Sequence, residues 1–351
     1  MKLEQPAGQS VLKMMIVLGC TVALAAGCGQ EVSPTIVSPS PKPTAITVPT
    51  AAPTPTPKPF IFPLSGVPSD TNIQSRPFMV MVENSPAARP QSGLDEADIV
   101  YEILAEGEVT RFVAVYQSKE TKVIGPVRSI RPYFVEIGDA LDAVIVHAGW
   151  SQDAMDILAG RKLAHLDQVY GDDAFYWRAK DRKAPHNLYT SVEKMKEGAE
   201  VRKFRKDWKG FNLIFARDNK TTLIGQAVSQ IKVPYIQGYE VSYTYQAATG
   251  QYARFMAGKP HEDKESSKQI TATNVLVLEA KHKILDKEGR RDVDIFGPGK
   301  GKIFQQGVAQ DITWEQKDGI IRAYAGSKEV PLLPGTTWVQ VVPVGTALVM
   351  E

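Results

Sequence analysis

Two hydrophobic textures divide the chain. Residues 14–26 form one apolar stretch, whereas from Phe60 onward short apolar runs alternate with polar turns. In that second part, Phe78-Met79-Val80-Met81-Val82 reads as a buried strand because its apolar run is unbroken. Residues 99–104 and 112–116 are strands with Gly107 at the turn between them, and Val144-Ile145-Val146 is another buried strand. Pro132 opens a helix carrying Phe134, Ile137 and Leu141 at helical spacing. Ser151 caps a helix with Met155 and Leu158 on one face, and Thr190-Ser191-Val192-Glu193 is a capping-box pattern opening a helix toward Phe204. Residues 60–225 thus predict an α/β or α+β domain.

Beyond residue 225 helical patterns become scarce. Residues 241–245, 274–278, 303–304, 312–314, 320–324 and 338–344 are short β-type runs, separated by glycines such as Gly250, Gly258, Gly307, Gly319, Gly326 and Gly335. A smaller β-rich domain over 226–351 follows. Gly297-Pro298-Gly299-Lys300-Gly301 lacks the P-loop spacing and the Ser or Thr after Lys, so it reads as a turn. Trp314 and Trp338 read as core rather than as a sugar platform.

The stretch over 14–26 is too short to span a membrane, which takes about 20 apolar residues, and suits a signal-peptide core behind Lys2 and Lys13. It ends in Ala26-Gly27-Cys28, which resembles a bacterial lipobox, where the thiol is diacylated and the peptide is cut just before it. Ala25 stands where Leu is usual, and Val17-Leu18-Gly19-Cys20 is a weaker site. The bland alternative is an ordinary cleaved leader with Cys28 incidental. Acyl chains such as palmitate contribute about 0.8 kcal/mol per buried methylene, so two or more anchor stably. Cys20 and Cys28 are the only cysteines; cleavage before Cys28 leaves a folded part with no disulfide, held by its core alone.

Residues 31–59 hold nine prolines, many Ser and Thr, and almost no bulky apolar residues. Such a segment forms no packed core. As polyproline II, at about 3.1 Å per residue, it reaches roughly 90 Å and reads as a stalk. The expected plan is a leader (1–27), a lipidated Cys28 with stalk (28–59), and the two domains above. Net charge is +2, or +1 once Lys2, Lys13 and Glu4 leave with the leader. A nearly neutral secreted chain has no global attraction to nucleic acid, which removes that partner.

Candidate chemistry is densest over residues 83–187. Glu83-Asn84 ends a buried strand, where open α/β sheets place ligands. Arg89, Glu102, Glu106 and Thr110-Arg111 follow, then Arg128-Ser129-Ile130-Arg131 before Pro132. Two guanidinium forks three residues apart at a helix start can hold one anion. His147 ends a strand, and Arg182, His186 and Asn187 add donors. As a ligand-binding set these are Glu83, Asn84, Arg89, Glu102, Arg111, Arg128, Ser129, Arg131, His147, Arg182, His186 and Asn187. The bland reading pairs Arg128 and Arg131 with Glu83, Glu96, Asp98 or Glu102 in structural ion pairs. His147, His165 and His186 lack metal-ligand spacing, so no metal is expected.

Several segments together resemble one family. They are Val82-Glu83-Asn84, residues 88–94, 97–102, Glu106-Gly107, Thr110-Arg111, 125–132, His147-Ala148-Gly149 and 182–189. In the second half they are Asn274-Val275, Asp294, Gly299-Lys300, Gln306-Gly307, Trp314 and Thr337-Trp338. The family is that of the YerB-like lipoproteins of Bacillus and its relatives, catalogued as a domain of unknown function. The resemblance implies a two-domain lipoprotein on the outer face of the cytoplasmic membrane of a Gram-positive-type cell, with no established reaction. One expectation is a binding or scaffold module in the cell envelope, with an envelope protein or a wall glycan or phosphate as partner and no cofactor. The alternative is an enzyme loosely similar to LytR-CpsA-Psr ligases. There Arg111, Arg128 and Arg131 would grip a pyrophosphate-linked glycan, and Asp98, Glu102 or Glu83 would hold Mg²⁺ or act as base. The two part on whether those arginines converge on an open cleft beside free carboxylates.

Overall fold

The computed structural model describes residues 58–211, 213–216, 223–235, 239–317 and 320–351. The expected leader, Cys28, the expected stalk through residue 57 and Gly319 lie outside them. From residue 56 on, the chain is one compact unit, mostly sheet, with three α-helices among the described residues, all before residue 205.

The first half supplies strands β1 (Phe78–Glu83), β2 (Ile99–Leu104) and β3 (Thr110–Tyr116), then helix α1 (Pro132–Ala140) and strand β4 (Val144–His147). Helix α2 (Gln152–Gly160), strand β5 (His165–Asp167) and helix α3 (Val192–Val201) follow. The strand-rich second half supplies β6 (Gln230–Pro234), β7 (Glu240–Gln246), β8 (Gln251–Met256) and β9 (Asn274–Ala280). It ends with β10 (Gly299–Gln305), β11 (Val308–Lys317), β12 (Ile320–Ala325) and β13 (Thr337–Pro343).

Strands from both sides of residue 225 enter one 12-stranded sheet, in the order β12-β11-β10-β9-β13-β2-β3-β1-β4-β5 with two-residue strands added at β12 and β11. The junction is β13, which runs parallel to β9 on one side and to β2 on the other, pairing Thr337 with Ile99 and Val341 with Ile103. β6, β7 and β8 form the middle of a second, six-stranded sheet.

Side-chain alternation sorts the large sheet's two faces. Met79, Met81, Val113, Val115, Leu276 and Val339 join Phe134, Ile137 and Leu158 of α1 and α2 in one apolar cluster. Val80, Val82, Phe112, Ala114, Val275 and Trp338 join Val192 and Met195 of α3, with Ile231, Tyr243 and Tyr252 of the second sheet, in the other. Trp314 and Trp338 are buried at 1% and 0% exposure, as core residues.

Local details differ from expectation in two places. Helix α3 is capped by Ser191, whose hydroxyl accepts the Lys194 N–H at 3.1 Å, while the Thr190 hydroxyl donates to the Phe175 carbonyl. The acid three residues beyond Thr190 therefore has no box to close. Of Gly297–Gly301, expected as a turn, residues from Gly299 on are strand β10. A Cβ at Gly299 would lie 2.3 Å from the Trp314 indole nitrogen, so glycine there lets the indole lie against the strand.

Candidate functional site

The C-terminal ends of the parallel strands β1 and β4 and the start of β3 bring most of the predicted polar residues to one end of the sheet, where they divide into separate groups. The innermost is a closed ring of hydrogen bonds. Arg254 donates through Nη2 to Glu102 Oε2 and through Nη1 to His261 Nδ1. His261 Nε2 donates to Gln91 Oε1 at 2.8 Å, and Gln91 Nε2 donates to Asn84 Oδ1 at 3.0 Å. Asn84 Nδ2 donates to Glu102 Oε1 at 3.2 Å and to Thr110 Oγ1 at 2.6 Å, and the Thr110 hydroxyl donates to Glu102 Oε1 at 2.7 Å.

Every direction in this ring is fixed by its end members. A guanidinium only donates and a carboxylate only accepts, so His261 must be neutral with its proton on Nε2, and both amides have one orientation. Burial and the Arg254 and Arg89 charges accordingly push the His261 pKa well down. Burial works against the Arg254 charge, but the Glu102 carboxylate and the Tyr243 hydroxyl together outweigh it and leave the guanidinium pKa raised. Arg254 is fully buried, 4.5 Å from the Trp338 ring centre and near the Phe112 and Tyr243 rings. Arg89 closes the ring's outer side, donating to Asn84 Oδ1 at 3.0 Å and to the Asn84 carbonyl.

A second group binds two predicted arginines to an acid outside the expected partners. Arg111 donates to Glu106 Oε2 at 2.7 Å and to the Ser129 carbonyl at 2.7 Å, and Arg131 pairs with Glu106 Oε1. Burial alone would raise the Glu106 pKa; the two guanidiniums outweigh it and hold the carboxyl below its usual value.

In the third group Glu83, 4% exposed, accepts from His186 Nδ1 at 2.9 Å and from the Ser85 hydroxyl at 2.8 Å, with Arg128 Nε at 3.4 Å. The Arg128 and His186 side chains remain 32% and 27% exposed. Arg182 instead clasps the loop after β1, donating to the carbonyls of Ala88 and Pro90, and Asn187 ties its own loop to Ala179 and Arg182. His147 is sealed from solvent: Nδ1 donates to the Gly149 carbonyl at 3.1 Å, so Nε2 accepts from His165 Nδ1 at 3.2 Å. Burial, opposed by Asp167 and aided by His165, lowers its pKa to about 4. Among the described residues no three His, Cys, Asp or Glu side chains cluster as metal ligands.

Residues 64–205 match the family described as "Protein of unknown function (DUF3048) N-terminal domain", and residues 231–339 match its C-terminal domain. The chain belongs to this family. It is 36% identical over 285 residues to YerB of Bacillus subtilis (strain 168), a protein with a provisional lipoprotein name, covering 80% of this chain and 86% of that one. The crystal structure of the Bacillus subtilis YerB protein matches with a TM-score of 0.77 at 35% identity, over 83% of this chain and 99% of the other. The hydrogen-bonded ring spans both family domains, with Asn84, Gln91 and Glu102 from the first and Arg254 and His261 from the second.

Arg254 and His261 were absent from the residues singled out in the sequence, and Gln91 entered only as part of the family segment 88–94. The readable signal is parity: in β8, Tyr252, Arg254 and Met256 alternate on the buried side, and an arginine at such a position requires a buried acid.

Removing one partner leaves an uncompensated buried charge, so Arg254→Met or Glu102→Gln should each cost about 3–5 kcal/mol. The double replacement Glu102→Leu with Arg254→Met should cost far less than the sum of the single ones in a urea-denaturation cycle. For His147, the unfolded chain binds a proton below its ordinary pKa of 6.5, while the folded chain refuses it until about 4. Its contribution is therefore complete above pH 6.5 and lost as pH falls toward 4. Asp263, raised to about 6 by burial and Asp95, acts in the opposite sense. The stability difference between wild type and His147→Gln should shrink across that window; a pH-independent difference would contradict the assignment.

Proposed function

We propose that the protein is an envelope lipoprotein that recognises or scaffolds a partner rather than catalysing a reaction. Acyl chains on Cys28 and the stalk would hold it on the outer face of the cytoplasmic membrane. The observation carrying the non-catalytic reading is the internal saturation of its arginines. Phosphoryl transfer asks for cations turned toward developing charge and carboxylates free to hold a metal or take a proton. Here Arg111 and Arg131 share Glu106, while Glu102 is occupied by Arg254, Thr110 and Asn84. Glu83 is taken by His186 and Ser85. These pairings speak against the ligase-like alternative and its Mg²⁺. Arg128 and His186, partly exposed on either side of Glu83, form the accessible remainder, a patch suited to a carboxylate, phosphate or glycan. Membership of the family and the Ala26-Gly27-Cys28 sequence support the anchor.

Labelling cells with an alkyne analogue of palmitate should tag the wild-type chain and the Cys20→Ala variant. Cys28→Ala should lose the tag and leave the membrane fraction. For the folded unit from residue 56 on, a melting shift with glycan phosphates, lost in Arg128→Ala, supports recognition. Turnover of a pyrophosphate-linked glycan, abolished by Arg111→Ala, would establish the enzyme instead.

A further inference from the structure

A cavity of about 400 Å³ lies at the end of the sheet opposite the polar groups. Its walls come from the start of β1 (Phe78), the end of β3 (Tyr116), the start of β4 (Val144) and the side of α3 that carries Val192, Lys196 and Ala199. The five residue steps of β1 from Phe78 to Glu83 place this end about 17 Å from Glu83. Neither it nor a cavity of about 440 Å³ beside Trp314 is lined by any residue of the predicted ligand set.

The floor is apolar. Phe62, Ile73, Phe78, Val144, Val192 and Phe204 line it, and Phe62, Ile73 and Phe204 stay half-buried. A volume of this size falls in the roughly 300–1,000 Å³ range of small-molecule sites. The rim is cationic. Arg76, Lys119, Lys196, Arg205 and Lys206 face two carboxylates, Glu120 and Glu200, five against two. Asp142, which pairs with Arg76 and Arg205 from behind the lining, still leaves an excess of two.

The cations are not equivalent. Arg76 is committed to the backbone, donating to the carbonyls of Asp142 and Ala143 at 2.8 and 3.1 Å. Lys119 is exposed and, among the described residues, makes no ion pair. Lys196 and Lys206 pair with Glu120 and Glu200 through side chains that are all more than half exposed. Exposed pairs of that kind contribute little and exchange readily for another anion. An unfilled apolar floor with exchangeable cations at its rim matches one chemistry: a tail that leaves water and a head that carries negative charge.

We propose that this cavity binds a single-chain amphiphile with an anionic head, its alkyl tail against Phe78, Val192 and Phe204 and its head at Lys119 and Lys196. This goes beyond the recognition patch at Arg128 and does not depend on it.

The unit from residue 56 on has its own core, so it can be titrated directly by calorimetry with dodecyl phosphate below its micellar concentration. Dodecyl phosphate should bind at a single site. Dodecanol and inorganic phosphate should each bind at least about tenfold more weakly, because each keeps one half of the recognition. Lys119→Glu with Lys196→Glu, both on exposed side chains, should weaken dodecyl phosphate about tenfold and leave dodecanol unchanged. Ala199→Trp, filling the cavity from α3, should abolish binding at an unchanged melting temperature. Arg128→Ala should have no effect, which separates this site from the patch at the other end. No binding, equal affinity for dodecanol and dodecyl phosphate, or indifference to Ala199→Trp would overturn the proposal. So would a peptide of residues 31–57 binding here in place of the amphiphile.

Discussion

Two full charges with no access to water, Glu102 and Arg254, meet at the centre of this protein, and the remaining architecture follows from keeping them together. Moving either ion out of water costs several kcal/mol, and the attraction between them repays this best when the surrounding donors and acceptors are also satisfied. The ring through His261, Gln91, Asn84 and Thr110 satisfies both Glu102 oxygens and both terminal nitrogens of Arg254, leaving Arg254 Nε without a hydrogen-bond partner among the described residues. Because a guanidinium and a carboxylate fix the direction of each bond, the ring closes in one arrangement only. It ties residue 102 to residue 254, while the parallel pairing of β13 with β2 ties the backbone across the same boundary. Two family domains thus share one sheet and one polar centre.

That centre explains why a sequence dense in arginine, glutamate and histidine need not be an active site. Near the C-terminal ends of β1 and β4 the charges are spent on one another, and Arg128 and His186 are left at the margin. The opposite end of the sheet has the reverse character, with apolar side chains incompletely covered and lysines only loosely paired. Ligand capacity follows where groups remain unsatisfied, and polar density alone does not locate it.

Much of the first half was legible in the sequence. The positions of β1 and α1 follow from an unbroken apolar run and from proline at a helix start, signals that act within a few residues. The bland pairing of Arg128 with Glu83 was also on the page, whereas Arg131 chose Glu106 over the acids expected for it. What failed to show was long-range. Nothing local to Tyr252-Ala253-Arg254 says that its acid lies 152 positions earlier, and β13 could be seen as a strand but not as the strand between β9 and β2. Gly299 misled for a related reason: its absent side chain makes room for Trp314, a neighbour on another strand.

The direct test of this account is native-state hydrogen exchange on the folded unit from residue 56 on. If the shared sheet and its buried ring make one cooperative body, the slowest amides of β2 and β3 and those of β9 and β13 should exchange with the same free energy. Arg254→Met should lower both sets equally. Protection in β2 and β3 that survives unchanged while β9 and β13 open would contradict it, and would mean that the two family domains stand independently.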